Sequence, residues 1–368
     1  MCQFGGLWLL LGICGIRVNI MPNKDIFMIK KILRLLFSLL CLFTMLALAV
    51  CSKAEPFRAE FALGTVCSVT LYDQAKAQVY QDIFSRIREI ENRMSTNLPD
   101  TDVTRINASA GITPVQVHDD VFEVIERAVY FAGLSGGAFD PTVGPLVSLW
   151  DIGGDNPKLP SQEEINVVLP LINWRDIELD KERRSVFLKR PGMALELGAI
   201  AKGYAADEAA VILARARIKR AIIDLGGNIL TYGVKKDRTP WRVGIQDPIE
   251  TRGAYIGIVQ GPEQTIVTSG VYERGFFVDE EWYHHIFNPF DGYPARNELL
   301  SVTIFTSNSM DADALSTAVF VMGYETGRAL VESLEGIEAL FIFEDKSIRK
   351  TSGLDFMLTS EEYHLAQD

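Results

Sequence analysis

The segment Met193-Ala194-Leu195-Glu196-Leu197-Gly198-Ala199-Ile200-Ala201-Lys202-Gly203-Tyr204 changes character in its middle. Residues 193–197 read as a strand, paired with a second strand over 186–188, and 201–216 read as a helix. The strand meets the helix start through small residues. Ala221-Ile222-Ile223-Asp224-Leu225 is again strand-like and stops at Gly226-Gly227-Asn228. Downstream, strands are expected over 241–246, 257–259, 266–268, 301–306 and 339–343, with a helix over 312–322. Helices and strands therefore mix without a strict βαβ repeat. That pattern predicts an α+β fold, with helices packed on largely antiparallel sheets in a single large domain.

The N-terminal half fits the same class. Residues 59–71 are rich in β-branched side chains and read as a strand. Over 74–94, Val79, Ile83, Ile87, Ile90 and Met94 recur at steps of three and four, which marks one face of a helix. Asn97 to Asp102 breaks it. A second amphipathic helix, capped by Asp119 or Asp120, carries Val121, Val124, Ile125, Ala128, Val129 and Ala132 on one side. Loops follow over 133–144, which is glycine-rich, and over 155–164, which contains Pro157 and Pro160. There is no internal repeat and no long linker after residue 58.

Composition agrees with a globular protein: 368 residues, 48% apolar, 10% aromatic and 23% charged. With 36 Lys and Arg against 48 Asp and Glu, the net charge is -12. An acidic surface of this kind argues against sequence-independent nucleic-acid binding, which needs a basic face to displace counterions. The first 50 residues hold five of the basic side chains (Arg17, Lys24, Lys30, Lys31, Arg34) and one acid, Asp25.

From Met28 the reading is sharp. Lys30, Lys31 and Arg34 precede a 16-residue, largely apolar run over 35–50, which Cys51 follows. This layout resembles a bacterial lipoprotein signal, in which the cysteine becomes the lipidated first residue. The competing reading is a transmembrane anchor, but 16 residues fall short of the ~20 that span a bilayer. The expected organisation is a start-site extension over 1–27, a lipoprotein signal over 28–50, a tether over 51–58 and a catalytic domain over 59–368. Of the five cysteines, only Cys67 is then a free thiol, in an alternating run that suggests a buried small hydrophobe.

Four clusters invite chemistry. Gly136-Gly137-Ala138-Phe139-Asp140 reads either as a plain loop or as one that lets a ligand approach the backbone. Glu196 to Tyr204 reads either as a tight turn with a solvated lysine or as a phosphate-binding helix start with Lys202 as its cation. It lacks GxxxxGK[ST] and GxGxxG, so neither a Walker nor a Rossmann site is supported. His284-His285 would face opposite sides of a strand, which leaves one imidazole for a pocket or both for the surface. In Asp311-Ala312-Asp313-Ala314-Leu315-Ser316-Thr317, Asp313 and Thr317 share a helix face. Their hard oxygens suit Mg²⁺, although Asp311 reads equally as a helix cap. No CxxC or HExxH occurs, so a soft-metal site is unsupported.

In order along the chain, from about Phe61 to Met322, these clusters resemble the FAD:protein FMN transferase (ApbE) family. The shared motifs include Met94-Ser95-Thr96, the loop over 139–146, Asp224-Leu225-Gly226-Gly227-Asn228, Val243-Gly244-Ile245-Gln246-Asp247-Pro248, Thr268-Ser269-Gly270, His285-Ile286 and the 313–317 stretch. The resemblance implies an exported, lipid-anchored enzyme on the periplasmic side of the inner membrane. It would use Mg²⁺, take FAD as substrate and attach FMN to a threonine of a partner flavoprotein, such as a membrane redox subunit. AMP would leave, and water could replace the threonine.

Carried over residue by residue, the resemblance makes Asp313 and Thr317 metal ligands, with Ala199 adding a backbone carbonyl. It makes Leu63, Asn97, Ala138, Phe139, Asp140, Glu196, Lys202 and Ile286 (or its neighbour Phe287) contacts to FAD. His285 and Asp313 are the catalytic candidates, His285 for moving a proton at the attacking hydroxyl. Glu196 replaces a more usual Asp. Asn97 replaces a common Tyr that can stack on FAD, which predicts more hydrolysis by water. Asn288-Pro289 replaces Asp-Pro, so that turn is not expected to assist the metal. The contrasting reading is an FAD-binding lipoprotein without catalysis.

Overall fold

Strand β1 (Phe57–Ala62) folds back on β2 (Thr65–Leu71) through Leu63 and Gly64, both at positive φ. The expected single strand over 59–71 is therefore a hairpin, and Phe57 and Arg58 of the expected tether already lie in the sheet. The computed structural model describes residues 56–366 except 252, together with Met28, Lys31 and Leu36. The start-site extension, nearly all of the signal and the lipidation site at Cys51 lie outside the described residues. Among the described residues, no helix is long and apolar enough to cross a membrane.

Helix α1 (Ala77–Met94) buries the periodic residues that predict it, and Thr101 caps the short α2 (Asp102–Ala108). Next come β3 (Val115–Gln116), α3 (Asp119–Leu134), α4 (Gly144–Trp150), α5 (Gln162–Val168), β4 (Ile177–Asp180) and β5 (Ser185–Leu188). His118 occupies the cap position of α3; Asp119 and Asp120 stand in its first turn. The order continues with α6 (Ala201–Arg215), β6 (Ala221–Leu225), β7 (Asn228–Tyr232), β8 (Trp241–Gln246), β9 (Tyr255–Gly261) and β10 (Gln264–Gly270). After these come β11 (Gly275–Val278), β12 (Glu281–His284), β13 (Leu299–Thr306), α7 (Ser309–Met322), α8 (Tyr324–Glu332), β14 (Glu338–Phe343), β15 (Ser347–Lys350), β16 (Phe356–Leu358) and β17 (His364–Leu365).

The main sheet has nine strands in the order β1-β2-β6-β7-β10-β13-β14-β15-β17. All its pairings are antiparallel except β15 with β17. On one face Cys67, Val69, Ile223, Leu225, Val267, Val302 and Ile304 pack against α1, α6 and α7 in the principal core. On the other face Ile266, Phe305, Leu340 and Ile342 meet Val243, Ile245, Ile256 and Val259 of a three-stranded sheet, β16-β9-β8. A third apolar cluster joins Leu146 and Trp150 of α4 to Ile165, Tyr283 and Phe287. Helices on largely antiparallel sheets make this the expected α+β class.

One expected pairing fails. Residues 193–197 do not pair with β5, whose partners are β3 and β4. The reason is a side chain that acts as a strand. Asn107 Oδ1 accepts the Leu195 N–H at 2.7 Å, and its amide donates to the Leu195 carbonyl at 3.0 Å. On either side, Gly144 N donates to Ala194 O and Glu196 N to Pro141 O. The backbone donors and acceptors are satisfied without a regular ladder.

Candidate active site

The 193–204 segment and α7 meet where the chemistry is expected. Gly203, in the first turn of α6, lies against the start of α7: a Cβ at this position would sit 2.1 Å from Ser309 O. The close approach lets the Gly203 N–H donate to Asp313 Oδ2 at 2.9 Å. From the next turn of α6, Asp207 accepts the N–H groups of Ser309 and Met310, each at 2.9 Å. Burial pushes the Asp207 carboxyl up to about 6. The helix cap is Asn308, not Asp311, whose carboxylate instead forms a two-pronged pair with Arg127.

Asp313 is only 3% exposed. Lys202 stands with its Nζ 3.6 Å from Asp313 Oδ1 and donates to Gly198 O at 2.7 Å. The lysine thus faces a carboxylate instead of standing free at the helix start. Thr317, one turn beyond Asp313, reaches Ser269 Oγ at 3.3 Å, and Ser269 also bonds Ser316 Oγ at 2.9 Å. Among the described residues, no group of three or more His, Cys, Asp or Glu forms a metal cage. A cation here would rest on Asp313, Thr317 and backbone oxygen.

Ala199 and Thr317 line a cleft of about 610 Å³. The same cleft is lined by Asn97, Ala138, Phe139, Asp140, Glu196, His285 and Ile286, so most of the expected flavin contacts converge. Three expected residues stand back from its wall. Asp313 and Lys202 lie behind it. Leu63 sits in the hairpin turn, where its N–H donates to Glu91 Oε1 at 2.8 Å.

Two of the acidic residues are committed within the protein. Glu196 accepts from Thr96 Oγ1 at 2.6 Å and from Gly198 N at 2.8 Å. Asp140 accepts from both the N–H and the hydroxyl of Thr142 and from Trp174 N. Burial raises its pKa above the usual carboxylate range. Asp140 thereby shapes the loop that presents Ala138 and Phe139.

The two histidines separate as alternation requires. His284 is buried and reaches Ala295 O at 2.9 Å. His285 lines the cleft with its Nδ1 3.2 Å from Arg274 O. A ring nitrogen against a carbonyl must carry the proton, so Nε2 is the lone-pair nitrogen. Loss of hydration holds the His285 pKa down, at about 3.

Sequence reasoning missed two parts of the wall. One is Arg274, whose guanidinium donates to Gly64 O at 3.0 Å and has no ion-pair partner among the described residues. The other is the turn over 151–156, held by Asn156 N donating to Asp151 Oδ2. A lone arginine in a turn leaves no periodic signal. The Gly153-Gly154 pair before Asp155 was the available clue to the second.

Hydroxyls, carboxylates and Arg274 around one cleft, with the buried Asp313 behind its wall, define an α+β protein with a polar cleft of ligand size. The chain belongs to the ApbE family: residues 63–341 match that family's model. It is 39% identical over 317 residues to an FAD:protein FMN transferase of Treponema pallidum (strain Nichols), covering 82% of this chain and 88% of the relative. It is 37% identical over 286 residues to one of Klebsiella pneumoniae (strain 342), covering 78% and 88%. Among solved structures, an ApbE protein of Thermotoga maritima superposes with a TM-score of 0.75 at 34% identity, covering 81% of this chain and 97% of that one. The flavin transferase ApbE of Vibrio cholerae gives 0.70 at 28% identity, covering 83% and 97%.

Proposed function

We propose that this protein is a Mg²⁺-dependent FAD:protein FMN transferase. It moves FMN from FAD to a threonine hydroxyl of a partner flavoprotein and releases AMP. One observation carries the reading: the cleft that gathers the expected flavin contacts backs onto the buried Asp313 carboxylate, in a chain whose relatives bear this activity's name.

The donor set fits magnesium. Among the described residues the only cation facing Asp313 Oδ1 is Lys202, at 3.6 Å, so a buried negative charge is left with incomplete compensation. Asp313, the Thr317 hydroxyl and the Ala199 carbonyl would hold the ion through oxygen alone, as Mg²⁺ prefers. When bound, Mg²⁺ supplies charge neutralisation at the pyrophosphate oxygens. The protein's own residues do the positioning. Ala138 and Phe139 offer a contact surface for the flavin nucleotide, and Arg274 offsets phosphate charge at the wall.

His285 Nε2, which keeps its lone pair, accepts a hydrogen bond from the attacking hydroxyl and orients it, and the proton passes on to water as the new P–O bond forms, since an imidazole held at about 3 does not retain it. The hydroxyl oxygen bonds to the FMN phosphorus, the bridging P–O bond breaks, and its electron pair leaves with AMP. Water in place of the threonine yields free FMN and AMP. Lipidation at Cys51 would hold the enzyme on the periplasmic side of the inner membrane, near a membrane redox subunit as acceptor.

The test is release of AMP and FMN from FAD, with Mg²⁺ or EDTA and with or without a threonine-bearing acceptor protein. Mg²⁺-dependent release that leaves flavin covalently on threonine supports the proposal. FAD bound but intact under every condition overturns it in favour of a binding protein without chemistry.

A further inference from the structure

Among the described residues, the end of the main sheet formed by β1, β2 and β6 is covered on one face only. Its inner positions enter the principal core, whereas the three-stranded sheet covers the opposite face only over the later strands. On the uncovered side, Phe57 and Phe61 of β1 stand opposite Thr70 and Val66 of β2, and directly paired residues share a face. Phe57 is 53% exposed, Phe61 76% and Val66 51%. Tyr72, which continues this face, is 52% exposed and meets the Trp241 ring at a tilt of 56°, with ring centroids 5.5 Å apart. Isolated exposed apolar residues need no explanation, but a row of them on an uncovered sheet face does.

Cations gather at the Tyr72 end of this row in a strongly acidic chain, where Lys235, Lys236 and Arg242 share a surface hollow with Tyr72 and Trp241. The connection from β7 to β8 carries Lys235, Lys236 and Arg238, and β8 adds Arg242. None of the four forms an ion pair among the described residues, and Lys235 lies over the Trp241 ring. Arg220 is paired with Asp73, and the Asp237 carboxylate is turned onto Thr239. The chain also enters the domain here: Leu71 N donates to Pro56 O at 2.8 Å, next to Tyr72. Five residues lead from Cys51 to Pro56, and fully extended they reach at most about 18 Å.

We propose that this patch is the face by which the domain rests on an anionic lipid bilayer. Tyr72, Phe57 and Phe61 would enter the interfacial layer, and Lys235, Lys236, Arg238 and Arg242 would meet phosphate headgroups. The proposal rests on the Cys51 anchor for proximity, and on the patch for orientation. A lipid chain supplies attachment but no orientation; basic residues beside it supply a second attraction of opposite charge to the membrane.

The test uses the mature lipidated protein with Lys236→Cys as its reactive thiol, carrying a fluorophore. Vesicles are phosphatidylcholine alone or with about 30% phosphatidylglycerol, each with a headgroup nitroxide quencher. The control label is at Val167→Cys, an exposed position on α5. Quenching at 236 should exceed that at 167 several-fold in anionic vesicles. It should fall toward the control in phosphatidylcholine, in high salt, or when Lys235, Arg238 and Arg242 are reversed to Glu. FAD turnover in detergent by the charge-reversed protein should be unchanged, which shows that it is folded. Flotation with equal quenching at both positions overturns the patch and leaves the anchor standing. Failure to float in either vesicle overturns both. Quenching at 236 that survives charge reversal overturns the electrostatic recognition.

Discussion

The Gly203 amide donates to Asp313 Oδ2 at 2.9 Å, and this one bond ties the first turn of α6 to the buried carboxylate of α7. Asp207 adds two more bonds between the same helices. The carboxylate is thus held by backbone, and its orientation does not depend on a ligand being present.

Asp313→Asn retains an oxygen for the Gly203 amide but removes the charge. Its melting temperature should stay within a few degrees of the parent. Mg²⁺-dependent AMP release should drop by more than about 100-fold, since even outer-shell changes at metal sites cost about 10–100-fold. Thr317→Val should lower activity and raise the Mg²⁺ concentration needed for half-maximal rate, with Thr317→Ser restoring most of it. Rate against Mg²⁺ concentration checks both, and an Asp313→Asn variant with parental rate at saturating Mg²⁺ removes the carboxylate from the mechanism.

Gly203→Ala tests the helix contact. Its Cβ would lie 2.1 Å from Ser309 O, a backbone atom that cannot rotate away, so the helices must separate. Overpacking of this kind costs about 1–3 kcal/mol. Urea unfolding should show that loss. Activity should fall with it, because the displaced N–H no longer sets the carboxylate.

Much of this was legible because it is periodic or compact in sequence. Val79, Ile83, Ile87, Ile90 and Met94 announce α1, and Asp313 with Thr317 announces a shared helix face. What escaped depends on contacts between distant residues. Asn107 imitates a strand beside Leu195 from 88 positions away. Leu63 takes a positive φ that its side chain gives no reason to expect, and so splits one strand into a hairpin. Lys202 reads as a free cation until the fold brings Asp313 to it.

Asn97 lines the cleft where related sequences are expected to carry a stacking tyrosine. A smaller side chain leaves room for water beside the flavin nucleotide. Asn97→Tyr should lower the ratio of free FMN to protein-bound FMN several-fold at unchanged Mg²⁺ dependence. Product partition, measured by chromatography of free flavin and gel fluorescence of the acceptor, checks it. An unchanged ratio sinks the argument from space.

Cys67 is fully buried, and its thiol donates to Ala62 O at 3.4 Å. Burial, reinforced by Asp224 and Glu91, pushes its pKa up to about 12. The thiolate is the reactive form, so the native protein should not react with a disulfide reagent at pH 8. The lipidated protein should release one reactive thiol on unfolding in guanidinium and none before. Rapid native labelling at Cys67 would contradict the packing of β2 against α1.

His285 makes the sharpest claim about pH. Its pKa is held at about 3 by loss of hydration, against 6.5 when unhindered. The unfolded chain therefore takes up a proton below pH 6.5 that the folded chain refuses until far lower, and stability must fall as pH drops through that window. His284, also lowered by burial, acts in the same sense. Replacing His285 by Asn should make unfolding in urea less sensitive to a change from pH 7 to pH 5, because one of the two groups is gone. The same neutrality fixes the kinetic expectation. With Nδ1 donating to Arg274 O, Nε2 keeps its lone pair throughout the neutral range, so kcat/KM for FAD should show no acid limb between pH 6 and 8. An acid limb near 6.5 that disappears in His285→Asn would show an imidazole hydrated like one in free solution, and would remove the neutral, desolvated acceptor from the mechanism.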